Sequence, residues 1–409
     1  MTKPSASSAA GATQTRYRRI FESLKDRILA GEYGAGHRVP SESALVKRFG
    51  VSRPTAARAL KELVLSGLVE RRAGAGSFVV EKPLAAAGQR QLGLLIPQWE
   101  TTEIFEMICG QLASLARTQD FVVQWSSARG RDRASNGQGA GERRTGEGQE
   151  AREARAGERR EGREAAELAQ AERLCEEFVE RKVGGVFFAP LELSRQQAEV
   201  NRRIGETFRQ AGIPLVLVDR DMERFPHRGA FDVVGMDNVA AGHLAATHLL
   251  KLGCRRVMFF TKPMSAATVA ARIAGVREAL AGAGLEWDAG SVIEGDPADA
   301  VFVKSCLLKR KPEACICAND RTAAELLQTL LRAGFRVPHD LRVTGFDDVR
   351  YATLMAVPLT TVHQPCDEIA AVAFDAMLRR LADPLAPVCN FLVAPRLVVR
   401  ESCGTYLPR

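Results

Sequence analysis

The chain lacks the features of membrane-spanning, secreted and disulfide-built proteins. No apolar run approaches the ~18 residues that a membrane-spanning helix needs. The first fifteen residues have no apolar core of the kind that signal peptides contain. The nine cysteines are scattered singly except for Cys315 and Cys317, and no Cys-x-x-Cys pair occurs, so neither a disulfide framework nor a metal site is predicted. We therefore expect a cytoplasmic protein with a disordered tail over residues 1–15.

The motifs of common enzyme classes are also missing. A dinucleotide site needs a glycine-rich turn between a strand and a helix, and a phosphate-binding loop needs a terminal Gly-Lys-Ser or Gly-Lys-Thr. Neither pattern occurs, because Gly282 and Gly284 follow a predicted helix, whereas Gly74 and Gly76 lie in a predicted hairpin. No serine nucleophile elbow is present either. The sequence therefore predicts a protein that is not an enzyme and that uses no cofactor and no metal.

Positive charge is abundant at one end of the chain. Residues 1–81 contain 14 Lys and Arg against 7 Asp and Glu, whereas the other 328 residues contain 43 against 42. Nearly all of the net charge of +8 therefore lies in the first fifth of the sequence. Release of counterions attracts such a region to a polyanion. A solvated basic surface without a partner is the alternative explanation for the charge.

Residues 38–80 carry the signals of two short helices followed by a basic hairpin. Ser41 is a suitable N-cap for the first helix, and Gly50 is a suitable residue to end it. Ser52 is placed to cap the second helix, with Pro54 in the first turn, where its missing N–H costs nothing. One face of the second helix is apolar at helical spacing. Two β-prone runs then flank residues 73–76, with two arginines at the base of the hairpin.

A helix-turn-helix followed by a basic wing is a common shape for reading duplex DNA. Residues 17–80 resemble the GntR family of bacterial winged-helix regulators. The motifs that carry the resemblance are Pro40-Ser41-Glu42, Phe49-Gly50-Val51-Ser52-Arg53, Thr55, Arg58, Leu60, Leu63, Gly67-Leu68-Val69 and Gly74-x-Gly76-Ser77-Phe78-Val79. One departure is Ser43, since many members have arginine there.

The resemblance implies a winged helix-turn-helix domain over residues 16–81 that binds a pseudo-palindromic DNA operator as a homodimer. Arg53, Thr55 and Arg58 would enter the major groove, and the wing would approach the minor groove or the backbone. The residues expected to contact DNA are Ser41, Ser43, Arg53, Thr55, Arg58, Arg72, Gly74 and Gly76.

From residue 91 onward, short apolar runs alternate with helical segments. This alternation implies βαβ units and parallel sheets that are covered on both faces. Seven runs are too many for one small sheet, so we expect two α/β lobes, joined to the first domain by a linker at 82–90. The predicted strands are 92–96, 121–125, 185–189, 214–218, 256–260, 314–318 and 341–346, and the predicted helices include 103–117, 195–211, 238–252, 266–283 and 321–333.

Polar residues follow the predicted strands, where open parallel sheets bind ligands. Carboxylates and amides exchange hydrogen bonds with hydroxyl groups, and an aromatic ring stacks on the apolar face of a sugar. Such a set favours a small polar or polyhydroxylated ligand, although Trp99 could equally pack at the rim. These residues are Gln98-Trp99, Asp219-Arg220, Thr261-Lys262, Asn319-Asp320 and Asp347-Asp348.

Residues 91–402 are similar to the LacI-type effector domain, which resembles periplasmic sugar-binding proteins. The matching motifs are Val218-Asp219-Arg220, Asp237-Asn238-Val239-Ala240-Ala241-Gly242, His248-Leu249-x-x-Leu252-Gly253, Arg272-x-x-Gly275, Asn319-Asp320-Arg321-Thr322-Ala323, Val337-Pro338-x-Asp340, Gly345-Phe346-Asp347-Asp348 and Pro358-Leu359-Thr360-Thr361-Val362. The resemblance implies that Asp219, Arg272, Asp320 and Gln364 contact the ligand. Trp99, Arg220 and Asn319 complete the predicted ligand-binding set. A GntR-type winged helix joined to a LacI-type sensor resembles the arabinose-repressor-like regulators.

Several of these polar residues have structural alternatives. Asp237 and Asn238 are better suited to capping a helix than to binding ligand. Asp320 could cap the helix that begins at Arg321, and Arg272 could pair with a nearby carboxylate. Asp347 and Asp348 could be turn formers.

A polar insertion interrupts the first lobe. Residues 126–167 contain no Val, Ile, Leu, Met or aromatic residue, and residues 128–165 contain 10 Arg against 8 acidic residues. Such a segment has little apolar surface to bury, so we expect a disordered insertion over 128–165. A solvated loop is favoured over a functional arm, and the latter part could extend the following helix backward.

Taken together, the sequence predicts a ligand-responsive DNA-binding transcription regulator, a repressor controlled by a small sugar-like effector. Its architecture would be an N-terminal winged helix-turn-helix plus a two-lobed parallel α/β sensor domain like that of periplasmic binding proteins. Ligand would close the cleft between the lobes and change the spacing of two winged domains. The alternatives are a regulator of a non-sugar molecule such as a purine, and a DNA-binding protein that responds to no ligand.

Overall fold

A computed structural model describes most of the 409 residues. It covers residues 20–21, 23–25, 27–28, 33–34, 36–65, 69–72, 76–79, 91–97, 103–124 and 149–407. The side chains of residues 61, 62, 65, 70, 72, 149–161, 163 and 289 lie outside the description. The chain divides into two compact units, residues 1–86 and 87–409. The predicted tail over 1–15 and the predicted linker over 82–90 fall outside the described residues.

The first unit is a helix-turn-helix with a two-stranded wing, as the sequence predicts. Ser41 caps α2 by accepting a hydrogen bond from the N–H of Ala44 at 3.3 Å. Gly50 ends that helix in the left-handed conformation, at φ 62°, where glycine is favoured. Leu45, Ala56 and Leu63 pack together in the core of the unit. Its elements are α1 (within residues 20–28), α2 (Glu42–Phe49), α3 (Arg53–Leu65), and the antiparallel strands β1 (Val69–Arg72) and β2 (Gly76–Val79).

The first lobe of the second unit is built on a parallel six-stranded sheet. Its strand order is β13-β7-β6-β5-β3-β4. Buried strands such as LVLV of β6 form its centre because both faces of a parallel sheet are covered by helices. The elements of this lobe are β3 (Gln91–Leu95), α4 (Glu103–Thr118), β4 (Val122–Gln124), α5 (Gln149–Glu180), β5 (Gly185–Phe188), α6 (Gln197–Gln210), β6 (Leu215–Val218) and β7 (Asp232–Met236), with α11 (Cys366–Ala382) and β13 (Asn390–Val393) added from the end of the chain.

The second lobe has the same design. Its strand order is β14-β12-β11-β10-β8-β9, and all neighbours are parallel except the edge strand β14, which runs antiparallel to β12. The elements are α7 (Asn238–Lys251), β8 (Val257–Thr261), α8 (Ala267–Gly282), β9 (Val292–Glu294), α9 (Ala300–Arg310), β10 (Ala314–Cys317), α10 (Asp320–Arg332), β11 (Arg342–Asp347), β12 (Thr360–His363) and β14 (Arg396–Val398). The chain therefore crosses between the lobes three times, after β7, β12 and β13.

Two glycines allow α7 and α8 to pack in close contact. A Cβ atom at Gly275 would lie 1.9 Å from the carbonyl oxygen of Val239, and one at Gly242 would lie 1.9 Å from that of Arg272. Only glycine fits at such a crossing, since any side chain would push the helices apart. This packing fixes the position of Arg272 on α8.

Helix α5 corrects one expectation from the sequence. It begins at Gln149, so the prediction of disorder over 128–165 is wrong for residues 149–165, while residues 128–148 lie outside the described residues. The second half of α5 is anchored in the lobe core through Leu168, Leu174 and Phe178. A packed helix extends readily through Glu, Ala and Arg because adding residues to a formed helix is easier than starting one.

All nine cysteines are free thiols. Cys315 and Cys317 are buried, with their sulfur atoms 4.0 Å apart. Among the described residues, no group of three or more His, Cys, Asp or Glu side chains is arranged to hold a metal ion. None of the described helices has both the length and the apolar character needed to cross a bilayer.

Candidate ligand cleft and DNA interface

The carboxyl ends of the two sheets face each other across a cleft, and charged side chains fill it. From the first lobe come residues after β5 and β6, and from the second lobe come residues after β10, β11 and β12. Each strand ends where the chain turns into a loop or a helix, so these side chains project into the same space.

Arg220 is the central charged residue that the first lobe contributes to the cleft. Its guanidinium is 5% exposed, forms an ion pair with Glu192 at 2.6 Å, and lies 3.1 Å from the carboxylate of Asp219. The ring of Phe105 covers it, with 5.2 Å between the guanidinium carbon and the ring centroid. Burial disfavours the positive charge, but Glu192 and Asp219 outweigh that effect and raise the pKa of Arg220. Arg220 is therefore a buried cation held by two carboxylates.

Arg272 is the corresponding cation of the second lobe. Its side chain donates to the amide oxygen of Asn238 at 2.8 Å and to the carbonyl oxygen of Ala318 at 2.5 Å. It also lies 3.7 Å from the carboxylate of Asp347 and stacks over Phe346 at 4.6 Å. The alternative that Arg272 pairs with a carboxylate is therefore observed, and this pairing directs it towards the cleft.

Asp320 is fully buried at the first position of α10. Its carboxyl group accepts hydrogen bonds from the hydroxyl of Thr361 at 2.6 Å and from the N–H of Val349 at 3.1 Å. The helix is capped instead by Asn319, which accepts from the N–H of Thr322 at 2.8 Å. The alternative that Asp320 is the cap is wrong, because the side chain of Asn319 occupies that role.

Burial raises the pKa of two carboxyl groups in this cleft. For Asp347 the pKa rises to about 7, because desolvation and the nearby Asp219 and Glu192 outweigh the attraction of Arg272 and Arg220. For Asp320, desolvation and the neighbouring Asp347 raise the pKa well above its usual range. At neutral pH the cleft therefore holds fewer negative charges than its carboxyl groups alone would give.

Gln364 links the two lobes at the crossing that follows β12. Its side-chain amide donates to the carboxylate of Asp219 in the first lobe at 2.7 Å. Its amide oxygen is buried and accepts no hydrogen bond from the described residues. A buried acceptor without a donor is costly, so this oxygen is a ready partner for a hydroxyl or N–H of a ligand.

The cleft is closed at its mouth. The N–H of Leu193 donates to the carbonyl oxygen of Met264 at 2.9 Å, and that of Ala266 donates to Glu192 at 3.0 Å. On the other side, the N–H of Arg350 donates to Glu103 at 2.8 Å. A cavity of about 70 Å³ lies beside Asp219 and Arg220, where β6 and β7 end and α8 begins, and it is small against the roughly 300–1,000 Å³ of typical ligand pockets. A ligand must therefore open the lobes or displace their mutual contacts.

A larger groove of about 480 Å³ lies at the amino ends of β8, β10 and β11 in the second sheet, between Cys254 and Arg342. Its charges are paired at the surface, as in the contact of Arg256 with Glu313 at 2.9 Å. It shares no residue with the cluster of buried charges, so we place the candidate site in the cleft.

The structure brings together five of the seven predicted ligand residues: Asp219, Arg220, Arg272, Asp320 and Gln364. Asn319 acts as a helix cap, and Trp99 lies outside the described residues. Asp237 caps α7 as expected, whereas Asn238 contacts Arg272.

Asp347 and Asp348 are both in left-handed backbone conformations, at φ 110° and 59°, as expected of turn formers. Asp348 pairs outside the site with His363 and Arg400.

Sequence reasoning missed Glu192 and Thr361. Glu192 lies four residues beyond β5, so examining a longer loop after each strand would have included it. Thr361 lies inside β12, a strand that the sequence pattern did not reveal, and only the pairing with Asp320 identifies its role.

In the first unit, the predicted DNA contacts fall into exposed and buried groups. Arg53 and Arg58 are exposed on α3, and Arg53 lies 3.4 Å from the hydroxyl of Ser43. Thr55 is only 6% exposed, and its hydroxyl is hydrogen-bonded to Ser52 at 2.8 Å. Ser41 is engaged as the cap of α2. Thr55 and Ser41 thus make contacts within the domain.

The wing is anchored to the helices. Arg71 forms an ion pair with Glu42 at 3.3 Å. Gly76 has φ 116°, and a Cβ atom there would meet the guanidinium of Arg38 at 2.6 Å, so the glycine allows Arg38 to lie against the wing. Gly74 and the side chain of Arg72 lie outside the described part of the chain.

Comparison with known families gives a match for each unit. Residues 16–79 match the model of bacterial regulatory proteins of the gntR family. Residues 246–403, which span most of the second lobe together with α11 and β13 of the first lobe, match a periplasmic binding protein-like domain.

Individual relatives match part of the chain in sequence, and solved structures match it in fold. The ribose operon repressor of Escherichia coli (strain K12) is 29% identical over 237 residues, covering 56% of this chain and 68% of that protein. The HTH-type transcriptional repressor PurR of Vibrio atlanticus is 28% identical over 230 residues, covering 55% of this chain and 66% of that protein. Among solved structures, the transcriptional regulator CelR in complex with cellobiose has a TM-score of 0.58 at 20% identity, covering 89% of this chain and all of that one.

Proposed function

Since the chain joins a GntR-type winged-helix domain to a LacI-type, periplasmic-binding-protein-like effector domain, we propose that it is a transcription repressor whose DNA binding is controlled by a small polar ligand. The observation that supports this most strongly is the cluster of buried charges between the lobes, tied across the cleft by Gln364 and Asp219. A cluster of this kind responds to a ligand that replaces its internal contacts. We propose that the protein regulates transcription rather than catalysing a reaction, and that it acts in the cytoplasm.

The proposed effector is a sugar. Hydroxyl groups can both donate to Asp219 and the amide oxygen of Gln364 and accept from Arg220 or Arg272. Phe105, which already covers Arg220, supplies an apolar surface. The matched relatives include a ribose operon repressor and a regulator in complex with cellobiose. A purine is the second candidate, because the matched relatives also include PurR.

The proposed DNA contacts centre on α3. The exposed Arg53 and Arg58 would reach the major groove, with Ser43 beside Arg53. Arg72, Gly74 and Gly76 of the wing would approach the minor groove or the backbone. Thr55 and Ser41 support these contacts from within the domain.

We propose that the repressor is a homodimer on a two-fold operator. Helix α9 presents Val301 and Leu308, which are 82% and 63% exposed and two turns apart on one face. They border an apolar groove of about 530 Å³. Exposed aliphatic side chains grouped in this way are typical of protein interfaces, so this face is the proposed contact with a second copy.

A pair of variants tests the proposed function. Arg58→Ala should lose operator affinity by about tenfold or more, since a good base contact contributes about 1–3 kcal/mol, while its ligand-dependent thermal shift stays at the wild-type value. Asp320→Ala should keep operator affinity but show no release by ligand. Gel shifts would use an operator selected by the wild-type protein from a random duplex library, and thermal shift would screen sugars, including ribose and cellobiose, against purines.

Two outcomes would contradict the proposal. Wild-type operator affinity in Arg58→Ala would remove that residue from the DNA interface. An undiminished ligand response in Asp320→Ala would place the ligand outside the cleft. A matched control is Arg332→Ala, since Arg332 is an exposed arginine at the end of α10 and should change neither property.

A further inference from the structure

Glu192 connects the charge cluster of the cleft to the contact that closes its mouth. One carboxylate oxygen pairs with Arg220 of its own lobe at 2.6 Å. The other accepts the N–H of Ala266, which lies just before α8 in the second lobe, at 3.0 Å. Glu192 itself is largely buried, at 18% exposure, so solvent competes weakly for both contacts.

Beyond Arg220, the chain of contacts returns to the second lobe. Arg220 lies beside Asp219, and Asp219 accepts from Gln364 at the crossing after β12. The path from Ala266 through Glu192, Arg220 and Asp219 to Gln364 thus begins in the second lobe and ends where the chain leaves that lobe. A change at Arg220 is therefore expected to affect two contacts between the lobes: that of Glu192 with Ala266 and that of Asp219 with Gln364.

The backbone beside Glu192 supports the same contact. Leu193 and Met264, which are joined by a hydrogen bond across the mouth, have φ values of 61° and 57°. Residues other than glycine rarely adopt this conformation, since it costs about 1–2 kcal/mol per residue. Such a conformation persists where surrounding contacts hold it, and Glu192 adjoins Leu193 and holds the amide two residues after Met264.

We propose that Glu192 is the positioning residue that couples the guanidinium of Arg220 to closure of the two lobes. While Arg220 is paired with Glu192, the carboxylate is oriented to accept the N–H of Ala266, and the mouth is closed. A ligand group that takes over Arg220 releases Glu192 and so loosens the mouth. This regulatory role rests on the proposed function, because it assumes that ligand occupies the cleft.

Hydrogen–deuterium exchange on the ligand-free, full-length protein tests this coupling. In Glu192→Ala, peptides that contain the amides of Leu193 and Ala266 should exchange at least tenfold faster than in the wild type. Glu192→Gln keeps the shape and an acceptor oxygen, so it should accelerate exchange at Ala266 less. The control Glu206→Gln removes the carboxylate of an exposed ion pair with Arg209 and should leave both peptides unchanged.

Arg220→Lys separates coupling from a simple clasp. Arg220 makes no hydrogen bond to Ala266, so faster exchange at Ala266 in this variant supports the relay through Glu192. Unchanged exchange there, or unchanged exchange in a folded Glu192→Ala, would overturn the proposal. Both measurements use neither DNA nor ligand, so a failure of the proposed repressor function would appear separately, in the gel shifts.

Discussion

At the scale of single residues, the ionisation of the side chains in the cleft depends on the balance between burial, which disfavours a charge, and pairing, which stabilises it. Arg220 and Arg272 are each buried beside carboxylates, and Asp320 is held by two hydrogen-bond donors. Buried ions keep their charge only where partners compensate the lost water. The charge of Asp347 is only partly compensated, since its partner Arg272 is 3.7 Å away and other carboxylates are near.

This position of Asp347 predicts a dependence of stability on pH. Its pKa rises from 3.8 to about 7 on folding, so the folded state binds the proton more tightly than the unfolded state. The stabilisation from this proton is present below pH 4 and is lost as pH rises towards 7. Asp347→Asn should therefore gain in melting temperature relative to the wild type between pH 4 and pH 7.5. A gain of roughly 8–16 °C is expected, because a pKa rise from 3.8 to about 7 corresponds to about 4 kcal/mol and 1 kcal/mol shifts Tm by about 2–4 °C.

The matched control for this measurement is Asp340→Asn. Arg336 lowers the pKa of Asp340 to about 2, so its contribution to stability is lost only as pH falls through the range between 3.8 and 2. The difference in melting temperature between Asp340→Asn and the wild type should therefore stay constant between pH 4 and pH 7.5. A parallel pH profile for Asp347→Asn and the wild type would show that Asp347 is ionised throughout.

At the scale of elements, close helix packing positions Arg272, the arginine that we propose to bind ligand. Arg272 and Gly275 lie on the same helix, α8, and its contact with α7 leaves no room for a side chain at Gly275. Val239 of α7 is adjacent to Asn238, which holds the guanidinium of Arg272. If an added methyl group at Gly275 displaced α8, Arg272 and its contacts in the cleft would therefore move with the helix.

Gly275→Ala should lower the free energy of unfolding by about 1–3 kcal/mol, because an inserted group in a packed interior forces its neighbours to move. Gly282→Ala is the control on the same helix, since nothing lies within 4 Å of its added Cβ, and it should be neutral or stabilising by up to about 1 kcal/mol. Urea unfolding measures both. Equal effects of the two substitutions would mean that the α7–α8 contact adapts to a side chain.

Most of the buried apolar strands were predictable from the sequence, as was the edge strand β4, whereas β7, β9, β12, β13 and β14 were not predicted. The buried runs of β5, β6 and β10 stand out because both faces of those strands are covered. Strand β12 reads Thr-Thr-Val-His, and β14 is a short edge strand, so neither has a distinctive apolar pattern. The α/β fold class followed from the alternation of predicted strands and helices, whereas the contacts of Glu192 and Thr361 depend on pairing between segments that are distant in the sequence.

At the scale of the whole molecule, the distribution of charge bears on the proposed binding to DNA as a dimer. The excess of Lys and Arg lies within residues 1–81, so two copies side by side would present two basic ends to one duplex. Each basic end adds counterion release on its own half-site. In the proposed homodimer, the strength of dimerisation would set how much operator affinity the protein gains from a second winged domain.

The exposed face of α9 gives the test of this assembly. Replacing both Val301 and Leu308 by glutamate should weaken a dimer about 100-fold or more, because burial of each aliphatic side chain contributes about 1.5–3 kcal/mol and 1.4 kcal/mol corresponds to a factor of ten. Sedimentation equilibrium would measure the change, and operator affinity should fall with it. Leu385→Glu is the control, since Leu385 is 94% exposed at another position and should leave the dimer intact. If the wild type sediments as a monomer, or the double variant remains a dimer, α9 is not the interface and its apolar face must serve a different contact.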